Sequence, residues 1–263
     1  MQKVIAITGL KGSGKDTIAS IICKHDSSFR TIAFADRLKD ICAVMFGWNR
    51  DMLSGRFPES REWREKPDEF WSKELGIEFT PRKALTTVGT DIIRGTLLAH
   101  IWDITVKKEI IDNPNINYII TDCRFPNEIA MIRSLNGRIV EVQRGKLPDW
   151  YKDAKKYNEQ KNIKWNYKGI NKIENPEEGD LVVIDSINNV NSVYLNNEWH
   201  DFTVNELGFD DTFWMDLYPS LKSIHPSERD WIGINNPEHI FMNDSSLEDL
   251  EKQVVDYFGL VND

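Results

Sequence analysis

The chain has little cysteine: three in 263 residues, Cys23, Cys42 and Cys123, with no CxxC pair among them. An odd, scattered set of this kind argues for reduced thiols in a cytoplasmic protein and against a disulfide scaffold. Long apolar runs are also missing. The N-terminal VIAIT is strand-sized and is broken at once by Gly9, so neither a signal peptide nor a membrane span is expected. Positive charge is in deficit, with 33 Lys and Arg against 42 Asp and Glu and a formal net charge of -9. That balance opposes a duplex-coating nucleic-acid binder, although a few local cations still suffice for a small anionic substrate. There is no internal repeat and no low-complexity segment. Forty per cent apolar residues, nine Trp and twelve Phe are ample for a globular core.

What is present alternates between two periods. Residues 3 to 8, KVIAIT, form an apolar run rich in β-branched residues, as a buried strand requires. From Lys15 onward, Ile18, Ile21 and Ile22 fall on one helical face. RTIAFA reads as a second strand, and DRLKDICAVMFGW as a helix capped by Asp36. Residues 49 to 80 are polar and aromatic and read as a surface excursion over a site; residues 81 to 112 read as two helices, with Pro81 at a helix start. NYIIT is the clearest later strand, followed by the helix PNEIAMIRS and the strand RIVEVQ. This order predicts an α/β fold, a three-layer parallel sheet with helices on both faces.

The pattern then breaks. Residues 146 to 222 read as a lid-like segment containing a small β insert at about 163 to 204, built from DLVVID, SVYLNN and EWHDFTV with Asn-rich turns. WYKDAKKYNEQK, just before the insert, has the composition of a mobile lid, and the insert itself reads as separable. EHIFMND and SSLEDLEKQVVDYF resume the α/β pattern. The expected α/β core is therefore 1 to 145 with 222 to 263, residues 49 to 112 forming a helical cover over a site.

The chemistry sits first in GLKGSGKDT. Gly9, Leu10, Lys11, Gly12, Ser13, Gly14, Lys15, Asp16 and Thr17 follow the pattern of a phosphate-binding loop, between a strand and a helix as that motif needs. Glycines let backbone N–H groups surround a phosphate, and the helix N-terminus adds positive potential. Lys15 is placed for the β- and γ-phosphates of ATP. Asp16 stands where a magnesium-binding hydroxyl is usual. A carboxylate is also a hard ligand, so Asp16 is the candidate for Mg²⁺, while Thr17 keeps a hydroxyl one position on. Asp122, at the end of a buried strand, is where open α/β sheets place functional groups. Arg82, Arg94 and Arg124 supply planar phosphate contacts, with Arg61 and Arg64 in the excursion.

These residues alone leave three readings open: a nucleotide kinase, a kinase for another small acceptor such as dephospho-coenzyme A, or a non-catalytic nucleotide-binding protein. The ordered set GKDT, FADRLKD, PRKALTTVGTDIIR, IITDCRFPNE and HPSE resembles the deoxynucleoside monophosphate kinases of tailed bacteriophages, over residues 1 to 145 and 222 to 258. The resemblance implies ATP- and Mg²⁺-dependent phosphorylation of deoxynucleoside monophosphates in the cytoplasm, that of the host if the chain is phage-encoded. No nucleic-acid or membrane partner is implied, and a homodimer stays open. It places ATP on Gly12, Ser13, Gly14, Lys15, Asp16 and Thr17. It places the acceptor on Lys11, Leu38, Lys39, Arg82, Gly89, Thr90, Trp102 (stacked on the base) and Glu128; Arg64, from its place in the excursion over the acceptor, is a further candidate for gripping the acceptor phosphate. Lys15, Asp16, Asp122 and Arg124 are the implied catalytic set. Gly12 stands where some relatives carry a basic residue and Thr86 where a glutamine occurs. The β insert has no counterpart in the resemblance.

Overall fold

The computed structural model describes residues 2–55, 57–98, 100–161, 166–170, 174–178, 180–185, 190–203 and 211–260. In chain order the elements begin with β1 (Val4–Thr8), α1 (Lys15–His25), β2 (Phe29–Ile32) and α2 (Asp36–Phe46). Four short helices follow: α3 (Arg50–Ser54), α4 (Pro58–Glu65), α5 (Glu69–Leu75) and α6 (Pro81–Thr86). A π-helix spans Thr87–Leu97, and α7 (Ile101–Asp112), β3 (Asn117–Ile120), α8 (Pro126–Ser134), β4 (Arg138–Gln143) and α9 (Tyr151–Lys161) come next. Then come β5 (Asn166–Ile170), β6 (Asp180–Asp185), β7 (Val190–Leu195), β8 (Glu198–Thr203), α10 (Asp211–Leu217), α11 (Pro226–Arg229), β9 (His239–Met242) and α12 (Leu247–Phe258). They divide into two compact units. The first holds Met1–Cys123, Asn127–Arg144 and Pro237–Asp263, and the second Arg124–Pro126 and Gly145–Asn236. No helix among the described residues is long and apolar enough to cross a membrane.

The first unit is the expected α/β fold. Its five strands are all parallel, in the order β2-β3-β1-β4-β9. All five residues of the central strand β1 are buried, the reason its sequence is a continuous apolar run rather than an alternating one. Ile18, Ile21 and Ile22 of α1 pack on it with Ile119, Val140, Val142, Phe241, Leu250 and Val254. α12 is started by a reciprocal Ser246–Asp249 capping box. Parallel strands put the chain segments after β1, β2, β3 and β9 on one edge of the sheet, its carboxyl edge, where open α/β sheets build their sites.

Two local expectations are corrected. Ala35, not Asp36, is the N-cap of α2; Asp36 is the first helical residue, and its carboxylate accepts the Ala33 N–H at 2.8 Å. The excursion at 49 to 80 is not bare surface. Phe46 stacks on Trp48 with centroids 4.5 Å apart, Trp63 and Trp71 meet these rings edge-on, and Leu53 and Phe79 are buried. The indole N–H of Trp48 donates to Asp68 at 2.8 Å and that of Trp71 to Phe46 O at 3.1 Å. Helices of five to eight residues are too short for a period to show, so their shared aromatic core is invisible in the pattern.

All three cysteines are free thiols, and burial pushes Cys42 up to about 11, so it is no ready nucleophile.

The second unit carries a four-stranded sheet in the order β5-β6-β7-β8, with β5 parallel to β6 and the other pairs antiparallel. β6, β7 and β8 are the three expected strands; β5 is additional. Asn196 and Asn197 turn the β7–β8 hairpin with φ 53 and 66, the left-handed pair that a two-residue turn needs. Residue 163 and the link at 204 lie outside the described residues. The sheet is tied to α9 by hydrogen bonds. Gln160 of α9 donates to Glu178 and to Asn196 Oδ1 at 3.1 Å, and accepts from the Tyr218 hydroxyl. Asn196 Nδ2 in turn donates to Tyr218 at 3.2 Å. Removing the hairpin leaves this buried polar group short of partners. α9 itself is anchored, with Asn158 donating to Arg229 O at 2.7 Å and Ile232 O at 2.9 Å.

Candidate nucleotide-binding and phosphoryl-transfer site

The loop between β1 and α1 owes its path to glycine. Gly9, Gly12 and Gly14 have φ of 143, 81 and 111, values that side chains strain to reach. A Cβ on Gly9 would stand 2.4 Å from Val142 O, and one on Gly14 would stand 2.4 Å from Asn243 Nδ2. Gly12 opens onto free space. Lys15 Nζ spans the loop, donating to Gly9 O and Leu10 O at 2.8 Å each. Gly14 caps α1 without a side-chain bond, so the amides of the first turn, Lys15 to Thr17, receive no cap from a side chain. The Ser13 hydroxyl is buried and has no hydrogen-bond partner. Such a cradle fits a polyphosphate: first-turn amides without a side-chain cap, a lysine beside them, and glycines whose positive φ sets the path of the loop. Asp16 is exposed at the head of the helix and Thr17 half-buried; Lys11 is exposed on the loop.

Asp122 follows β3 on the same edge. Its carboxylate accepts the N–H of Phe34 at 3.0 Å and of Ala35 at 3.2 Å. It ties down the turn that opens α2, a different helix from the PNEIAMI helix that follows it in sequence. Burial pushes its pKa up; the Phe34 amide, Lys39 and the Ala35 amide pull the other way. Asp36 continues the frame, pairing with Lys39 at 3.4 Å and with Arg50 at 3.0 Å. Lys39 is thus held at the start of α2 by its own helix.

Leu38 and Gly89 meet directly: a Cβ on Gly89 would lie 2.4 Å from Leu38 Cδ2. Gly89 lets the π-helix approach α2. π-geometry is rare and concentrates at functional sites, and this stretch carries exposed Thr90. Trp102 corrects an expectation. It is 4% exposed, and its indole N–H donates to Gly89 O at 3.2 Å. A ring enclosed in this way offers no face to a base; it supports the π-helix from inside. Glu128, 2% exposed in α8, likewise faces the interior and is no surface contact for a nucleotide. The side chain of Arg94 lies outside the described residues.

α4 and α6 gather positive charge. Arg82 pairs with Glu65 at 2.9 Å, and Arg61 Nε donates to Gly55 O at 2.9 Å. Between them, Arg64 makes one long contact to Leu53 O at 3.5 Å, and its Nε is buried with no partner. Burial, then the charges of Arg82 and Arg61, hold its guanidinium below the usual arginine range. Arg64 is thus a half-buried cation beside two others, with Glu65 as the opposing charge.

Arg124 belongs to the second unit. There its Nη1 pairs with Glu228 Oε1 at 2.8 Å. Glu228 sits in the first turn of α11, which His225 caps. This gives HPSE a purpose that spacing alone did not reveal. Asn243 was also missed; it lies 230 residues from Ser13, whose carbonyl it bonds, and no short motif spans that distance.

No family model matches the chain. A protein of Acanthamoeba polyphaga mimivirus with the provisional name deoxynucleotide monophosphate kinase is 32% identical over 152 aligned positions, covering 54% of this chain and 74% of that one. The deoxynucleoside-5'-monophosphate kinase of Escherichia phage T5 is 25% identical over 185 positions, covering 52% and 74%. Among solved structures, dephospho-CoA kinase from Campylobacter jejuni superposes with a TM-score of 0.38 at 12% identity over 98% of this chain and 96% of that one, a likeness too loose to carry an argument. The sequence relationship, together with a glycine loop at the carboxyl edge of a parallel sheet, is decisive: the chain belongs to the deoxynucleotide monophosphate kinase family.

Proposed function

We propose that this protein transfers the γ-phosphoryl group of ATP to a deoxynucleoside monophosphate, giving ADP and the deoxynucleoside diphosphate. The observation that carries this reading beyond a bare ATP site is Arg64. Its buried, unpartnered Nε, set among Arg61 and Arg82, is what a phosphate monoester would satisfy with a bidentate contact.

Phosphoryl transfer needs positioning and positive charge more than covalent help. The loop amides hold the triphosphate of ATP. Lys15 exchanges its two carbonyl contacts for the transferring phosphate and follows its charge into the transition state. Arg64 and Arg82 grip the acceptor phosphate, and Lys39, in the frame set by Asp36 and Asp122, borders the acceptor. Asp16, exposed at the head of α1, is the residue that would hold a Mg²⁺ ion, and the ion would supply further positive charge for the phosphates. One carboxylate with phosphate oxygens is a common way to hold this ion.

The test is transfer of labelled γ-phosphate from ATP. Label recovered in a deoxynucleoside diphosphate supports the reading; label released only as inorganic phosphate, whatever acceptor is present, contradicts it.

A further inference from the structure

The end of the last strand carries a residue that the phosphate-loop pattern does not include. Asn243 extends the β4–β9 pairing, its N–H donating to Gln143 O at 2.8 Å, so its backbone is fixed to the sheet. Its side-chain Nδ2 donates to the Ser13 carbonyl at 2.8 Å. The same nitrogen is 2.4 Å from where a Cβ on Gly14 would stand. It therefore lies flush against the peptide that joins the loop to α1.

A trans peptide is planar, and the carbonyl of one residue points opposite to the N–H of the next. Holding the Ser13 carbonyl toward Asn243 turns the Gly14 N–H to the opposite side, away from the last strand. The Ser13 hydroxyl, 4% exposed and without a hydrogen-bond partner, is a second donor within that turn. We propose that Asn243 is a positioning residue for the phosphate loop, fixing the Ser13–Gly14 peptide so that the Gly14 N–H is already aimed at a bound triphosphate. A donor set in advance needs no reorganisation when the anion arrives, whereas a peptide free to rotate must be ordered at the moment of binding. The proposal rests on the kinase reading only in that the loop binds a nucleoside triphosphate.

The test compares the wild-type protein with Asn243→Ala and Asn243→Asp. Aspartate keeps the shape but, as a carboxylate, has no donor and would face the Ser13 carbonyl oxygen. Titration calorimetry with MgATP and no acceptor reads the Kd directly; steady-state kinetics read the two KM values. The expected result is a Kd for ATP about tenfold weaker in Asn243→Ala, the scale of one lost hydrogen bond, and weaker still in Asn243→Asp. The KM for the monophosphate stays within about twofold and Tm within a few degrees. An ATP Kd that is unchanged in both variants overturns the proposal, as does an equal rise in both KM values. Should the variants not fold, the wild-type chain still decides: the Gly14 amide resonance must shift on MgATP binding, and a resonance that stays put overturns the proposal. A protein that binds MgATP yet phosphorylates no acceptor overturns the kinase reading and leaves this measurement standing. One that binds no triphosphate overturns both.

Discussion

Asp122 and Phe34, 88 residues apart, are joined by a 3.0 Å hydrogen bond from the Phe34 amide to the Asp122 carboxylate, with the Ala35 amide on the second oxygen at 3.2 Å. The strand end that a sequence reader would give to catalysis is thereby used to hold the entrance of the helix carrying Leu38 and Lys39. Asp122→Ala leaves two amides without their acceptor, a loss of about 1–3 kcal/mol. Its main kinetic effect is a higher KM for the monophosphate, with the KM for ATP near its original value. Asp122→Asn keeps one acceptor oxygen and falls between. Urea unfolding with two-substrate kinetics checks this; an equal rise in the ATP KM would place Asp122 at the triphosphate instead.

Arg64 is predicted to act on the acceptor alone. Arg64→Ala raises the KM for the monophosphate by roughly tenfold or more, the loss of a charge-assisted contact, and leaves ATP binding unchanged. Arg64→Lys keeps the charge but not the planar fork, and recovers only part of the loss. In the absence of ATP the wild-type protein gains thermal stability from added deoxynucleoside monophosphate by mass action, and Arg64→Ala does not. A scanning-calorimetry shift that survives the substitution would remove Arg64 from the site.

Lys15→Ala is expected to lower kcat by roughly 100-fold or more, since it removes a preorganised cation from the transition state. The KM for the monophosphate should change little. Retention of full turnover would contradict the role given to Lys15.

Acid sensitivity follows from Asp36. Burial pushes its carboxyl up, but Lys39, the Ala33 amide and Arg50 outweigh it and leave the pKa below the usual range. A folded pKa below the unfolded one contributes stability at pH above the unfolded value, about 3.9, and that stability is lost as pH falls through the folded value. The Tm of the wild-type protein should therefore drop below about pH 4 more steeply than that of Asp36→Asn, which has no proton to take up. Parallel Tm–pH curves would refute the assignment.

Gly89→Ala puts a methyl group into Leu38, 2.4 Å from Cδ2, and over-packing of this kind costs about 1–3 kcal/mol. Leu38→Ala in the same chain should restore part of that loss by making room; a double-mutant cycle with no coupling would mean the two residues do not meet in solution.

Much of the fold was legible because period and punctuation agree there. β1, α1, β3, α8, β4, β9 and α12 each have an apolar pattern bounded by glycine, proline or a capping serine. The phosphate loop was legible for the same reason, since Gly9, Gly12 and Gly14 are demanded by φ and close approach. The aromatic core beneath 49 to 80 was hidden by the shortness of its helices, and β5 by an unremarkable NYKGI. Trp102 was misread because residue type cannot say which side of a helix is enclosed. The pairing of Glu228 and the role of Asn243 were missed because their partners, Arg124 and Ser13, are 104 and 230 residues away; such pairs exist only once the chain has folded.

The central claim is most directly tested by an ADP-release assay with ATP and Mg²⁺, run with each deoxy- and ribonucleoside monophosphate, with dephospho-coenzyme A, and with no acceptor, beside Lys15→Ala as the control. The account predicts ADP formation only when a deoxynucleoside monophosphate is present, and its near-abolition in Lys15→Ala. ADP formation that is independent of acceptor, or that appears only with dephospho-coenzyme A, would contradict it.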